Sequence, residues 1–152
     1  MPALEDRLHL QVRNRIIKLL ANPCAGSRIF RFNHPRARYY SNCHGTVVYV
    51  LALPHSRKKQ THPGIVETCS MERILQKHCV PSARFGIGSI ICFYHNSSEE
   101  DDEVLVHTAV AVGSEGDIFH QSGAGGVFEI STIETKLRTY PGANVRSFSR
   151  RN

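Results

Sequence analysis

Apolar residues recur at helical spacing in the first twenty positions. Leu4, Leu8, Val12, Ile16 and Leu19 or Leu20 form one stripe, with Arg7, Arg13, Arg15 and Lys18 on the other sides, and Asn22-Pro23 stops the run. The pattern predicts an amphipathic helix whose apolar face packs on a core. Residues 24–38 are irregular and basic and accommodate at most a short strand. From Thr46 to Leu53 the chain is almost wholly apolar. Thr46, Val47, Val48 and Val50 favour a strand by propensity, yet a buried helix can be apolar all round and Leu53-Pro54 supplies a stop, so a helix is expected. A further helix is predicted over residues 66–78, after a loop at 55–64 carrying Arg57, Lys58 and Lys59.

The second half changes period. Residues 88–94, 104–112, 117–120 and 127–130 are short apolar or alternating runs separated by glycine, serine and acidic residues, the pattern of antiparallel strands. Ser131-x-x-Glu134 resembles a capping box opening a short helix to about Tyr140, and residues 144–148 supply a closing strand. Helices first and strands second predict an α+β domain, with N-terminal helices packed on a mostly antiparallel sheet.

Length and charge narrow the picture. At 152 residues the chain suits one domain, read as an N-terminal helix and basic segment (1–38) and a core (39–152). The formal charge of +6 points to an anionic partner or to a generic basic surface. Aromatic residues among the arginines of 28–38 lack an RNA-recognition signature, so no nucleic-acid partner is expected. Arginine and lysine interrupt every N-terminal apolar window, which argues against a cleaved leader, and no run approaches the roughly 20 residues of a membrane span. The acidic run Glu99 to Glu103 reads as a solvated hairpin loop. Five cysteines (Cys24, Cys43, Cys69, Cys79, Cys92) form neither an even framework nor a zinc pattern. No metal or cofactor is expected.

One cysteine stands apart. The polar stretch Tyr39-Tyr40-Ser41-Asn42-Cys43-His44-Gly45-Thr46 runs directly into the apolar segment, which places Cys43 at a helix N-terminus, where orphan amides and the macrodipole favour thiolate. His107 lies within the apolar strand Val104 to Val112, and His120 within Asp117-Ile118-Phe119-His120-Gln121. The turn signal Gly113-Ser114-Glu115-Gly116 between them makes the two strands a hairpin, so the histidines can approach each other. A thiol, a base and a group orienting that base are what thiol catalysis requires.

These residues resemble the NlpC family of papain-like cysteine peptidases. The resemblance rests on Asn42-Cys43-His44-Gly45, on the strand opening at His107-Thr108-Ala109-Val110, on Ile118-Phe119-His120-Gln121 and on Gly88-Ser89-Ile90-Ile91-Cys92-Phe93, and it covers roughly residues 39–137. It implies a papain-like fold with Cys43 as nucleophile, His107 as general base and His120 as the orienting residue. Tyr40, Asn42, His44 and Gln121 would then surround the substrate, an amide in cell-wall stem peptides. Asn42 and His44 replace the aspartate and serine that the family places beside the nucleophile. His44 is a rival base, although a residue adjacent to Cys43 at a helix start is expected to point away from its neighbour's side chain. A thiol acyltransferase or deamidase on the same site, and a non-enzymatic basic binding module, remain alternatives.

Overall fold

The structure is a computed structural model that describes residues 8–27, 39–55, 60–96, 103–113 and 115–151. Its helices are α1 (Leu10–Ala21), α2 (Cys43–Val50), α3 (Thr68–His78) and α4 (Ile133–Thr139). Six strands, β1 (Cys79–Ser82), β2 (Ile90–Asn96), β3 (Glu103–Ala111), β4 (Asp117–Gln121), β5 (Phe128–Thr132) and β6 (Asn144–Arg150), form one sheet in the order β1-β6-β2-β3-β4-β5. Every pairing is antiparallel, so the domain is α+β. The basic segment 28–38 and the acidic residues 99–102 lie outside the described residues. Among those described, no helix is long and apolar enough to cross a membrane.

Strand alternation divides the core in two. On the front face, Ile16, Leu19, Val47, Val48, Met71 and Leu75 of the first three helices pack with Ile90, Cys92, Val110 and Phe119. On the rear face, Ile91, Phe93, Ala109, Ala111 and Ile118 pack with Ile133 and Leu137 of α4.

All eight residues of α2 are buried. Its β-branched residues cost roughly 2 kcal/mol in helix propensity. Burying Val47, Val48 and Val50 is worth at least about 1.5 kcal/mol each, so packing decides the conformation. The helix ends earlier than the expected Leu53, because Ala52 takes a left-handed conformation (φ 50°) and Leu53 N–H donates back to Val48 O at 3.0 Å. Arg15 and Arg150 donate to the terminal carbonyls of Tyr49 and Leu51, each at 2.9 Å, where cations suit the helix dipole.

Two further departures and one irregularity of the sheet have local causes. β1 was not foreseen because Val80-Pro81 reads as a helix stop, but at the edge of the sheet a strand tolerates proline. The α4 cap is Thr132, whose hydroxyl accepts Thr135 N–H at 3.0 Å, one residue beyond the expected Ser131, which instead pairs with Ile118. Opposite β2, the register shifts so that Phe93 faces His107 while Tyr94 faces Leu105, leaving Val106 as the extra residue of a bulge.

Candidate active site

Cys43 is the first residue of α2, and the segment before it is held from two sides. Asn42 Oδ1 accepts Gly45 N–H at 2.8 Å and Val66 N–H at 3.1 Å, while its Nδ2 donates to Val66 O at 2.8 Å. Gly45 admits no side chain, because a Cβ there would strike the Gly64 carbonyl. From the other side Gln121 Oε1 accepts both the Ser41 hydroxyl at 2.6 Å and the Thr46 hydroxyl at 2.9 Å, and Nε2 donates to Gly126 O at 3.0 Å. Gly125 N–H donates to Ser41 O at 2.8 Å, and the Tyr40 ring lies over Gly125, where a Cβ would come within 2.9 Å of it. Asn42 and Gln121, expected near the substrate, are thus occupied by internal bonds, and Gln121 is fully buried.

The two histidines are brought together by strands that part. β3 and β4 pair only at Val110–Phe119 and Ala111–Ile118, and beyond that point they separate. His107 alternates in phase with Ala109 and Ala111 and so faces the rear, beside Phe93 (ring centroids 5.6 Å apart) and stacked on Tyr140 (5.6 Å, 30° between planes), while the bulge falls just before it at Val106. There His107 Nε2 lies 3.0 Å from His120 Nδ1, and His120 Nε2 lies 3.1 Å from Glu129 Oε1, its neighbour across the β4–β5 ladder. A carboxylate only accepts, so His120 donates from Nε2 and must accept at Nδ1. His107 then donates from Nε2 and keeps a bare lone pair on Nδ1. That nitrogen is buried and, among the described residues, has no hydrogen-bond partner.

Cys43 approaches from the front face. Its thiol meets the backbone and the hydroxyl of Thr108, the residue after His107, and its Sγ lies 3.7 Å from His44 Nδ1. His44 therefore does not point away from its neighbour. It is buried, with Nδ1 2.9 Å from Thr108 Oγ1 and Nε2 3.4 Å from Thr68 Oγ1. Tyr140, stacked on His107 from the rear, is itself close enough to Cys43 for the thiolate's charge to raise its phenol pKa, after the larger effect of burial. Among the described residues no hydrogen bond joins Cys43 to His107: the imidazole in contact with the thiol is His44, and the His107–His120 pair lies on the rear face.

Burial sets the protonation states. Cys43 is 7% exposed, and desolvation raises its thiol pKa despite the Thr108 and helix-start donors. The thiolate expected from helix position alone is not favoured in the resting site. Burial lowers His44 to about 4. It also lowers His107 and His120, with Lys136 and, for His107, the neighbouring His120 adding to the effect. The resting site holds a neutral thiol beside neutral imidazoles.

Thr108, Glu129, Lys136 and Tyr140 were not singled out from the sequence. Glu129 was in principle accessible through hairpin register, since it lies opposite His120. Among the described residues, no group of three or more His, Cys, Asp or Glu side chains could hold a metal ion. Comparisons of the chain with family models, with curated proteins and with solved structures gave no match.

Proposed function

We propose that the protein is a cysteine hydrolase of the papain-like, NlpC type, cleaving an amide through an acyl-enzyme on Cys43. The observation that carries the reading is the chain Glu129–His120–His107, which ends in a buried His107 Nδ1 that has no hydrogen-bond partner among the described residues, one residue from the Thr108 that the Cys43 thiol meets. With thiol and imidazole both neutral at rest, proton transfer accompanies attack: His107 Nδ1 takes the thiol proton as sulfur adds to the carbonyl carbon. The first-turn amides of Cys43 and His44, which lack intrahelical acceptors, stabilise the oxyanion. His107 then gives the proton to the departing amine, and a water deprotonated by the same nitrogen hydrolyses the thioester.

His44 is the rival base by contact, but its Nδ1 is shared with the Thr108 hydroxyl at 2.9 Å, and it positions the thiol. Tyr40 borders the loop in front of the nucleophile. Substrates are amides of the cell-wall stem-peptide kind, and the net charge of +6 favours their acidic groups. The test is product mass analysis on a panel of such peptides. Cleavage should be lost in Cys43→Ala and His107→Ala and kept in part in His44→Gln. Cleavage that survives both of the first two substitutions would overturn the reading.

A further inference from the structure

One side chain of the buried helix α2 brings a hydroxyl to a place the reaction does not use. Tyr49 is 5% exposed. A buried tyrosine ordinarily gives its O–H a partner, yet among the described residues the Tyr49 hydroxyl bonds to none. The hydroxyl is not sealed in the core, and Tyr49 lines a cavity of about 370 Å³ between α1 and α2, so the phenol opens on that space. Half-buried Tyr39 lines the same cavity, and its hydroxyl likewise has no partner among the described residues. Neither Cys43, His44, Thr108 nor His107 lines it, so the cavity is separate from the candidate active site.

The walls narrow what the cavity can hold. Leu19 and Ala25, both buried, are apolar, and Tyr39 is stacked on His62 with ring centroids 4.6 Å apart and 11° between planes. His62 Nδ1 lies 2.9 Å from Pro63 O and donates to it, which fixes that ring in place. Flat apolar walls of this kind suit a planar ring. The surrounding charge is positive: exposed Lys18 lines the open side, and the Arg15 guanidinium lies over the Tyr49 ring, 5.2 Å from its centroid. No aspartate or glutamate lines the cavity, so a cation would meet repulsion and an anion would meet an ammonium and two phenol donors. The volume lies at the small end of ligand pockets, which begin at roughly 300 Å³, and suits a single ring with its substituent.

We propose that this cavity is a binding site for a small aromatic anion, a planar ring carrying one carboxylate. The ring lies against Leu19, Ala25 and Tyr39, and the carboxylate accepts from Tyr49 and Lys18. The assignment does not depend on Cys43 being a nucleophile.

Benzoate is the probe, with benzamide as the uncharged ring and acetate as the charge without a ring. Each is titrated into the full chain through the millimolar range and followed by NMR at the aromatic resonances of Tyr39, Tyr49 and His62. Benzoate should shift all three and bind about tenfold more tightly than either control. Lys18→Met should weaken benzoate by on the order of tenfold, Lys18→Arg should retain it, and Tyr49→Phe, which keeps the ring, should weaken it several-fold. Cys43→Ala should leave it unchanged, which separates this site from the hydrolase reading. Benzamide binding as tightly as benzoate, with no effect of Lys18→Met, would overturn the anion assignment. Acetate matching benzoate would overturn the ring. Shifts confined to other residues, or no response at these three, would overturn the site.

Discussion

At the level of single residues, the site depends on proton placement. Glu129 is on the surface, yet it determines which nitrogen of His107 is bare, two hydrogen bonds away. Glu129→Gln removes the obligatory acceptor and allows the amide to donate to His120, which reverses both tautomers and protonates His107 Nδ1. Activity should fall roughly 10²- to 10⁴-fold, the range seen when the third member of a triad imposes the wrong tautomer. Long-range proton–nitrogen NMR should show His107 protonated on Nε2 in the wild type and on Nδ1 in the variant. An Nδ1-protonated His107 in the wild type would contradict the assignment. The sequence showed the two histidines and the cysteine, because their types and the hairpin between them are legible. It did not show that Val106 is the extra residue of a bulge, or that His107 shares the rear face with Ala109 and Ala111 while Cys43 stands at the front. Nor could it show that burial raises the Cys43 thiol, since helix position was visible and desolvation was not.

The element that matters most is α2. Its sequence favours a strand, and it is helical because all its side chains are buried, because Asn42 caps its start and because Arg15 and Arg150 close its end. Ala52 occupies a left-handed position at that end, which strains a residue with a Cβ. Ala52→Gly should raise stability by about 1 kcal/mol without altering the site, read as a higher urea midpoint at unchanged m-value. A neutral or lower midpoint would mean that the turn is not strained as described. Asn42→Ala should act in the opposite sense. It removes the cap, worth about 1 kcal/mol, and frees the bonds to Val66, so stability and the alignment of Cys43 decline together. Element types were readable from hydrophobic period over most of the chain. Their ends were not, since the Ala52 turn, the Thr132 cap and the edge strand containing Pro81 each depend on contacts distant in sequence.

For the whole molecule, the neutral histidines make stability sensitive to acid. His44, His107 and His120 have folded pKa values below the ordinary 6.5 or so, His44 near 4, so as pH falls below about 6.5 the unfolded chain takes up protons first. Their contribution is fully present above about pH 6.5 and is lost as pH falls toward 4. The melting temperature should therefore drop between pH 6.5 and 4, with a shallower decline in His44→Gln. A flat profile there would show that these imidazoles are not held neutral. The measurement closest to the central claim is intact-mass analysis after brief exposure to p-nitrophenyl acetate, with the modified residue identified by peptide mapping. The wild type should carry one transient acetyl group on Cys43, and His107→Ala should fail to form it or fail to clear it. Acetylation spread over Cys69 and surface lysines, with no change in His107→Ala, would contradict a Cys43–His107 catalytic pair.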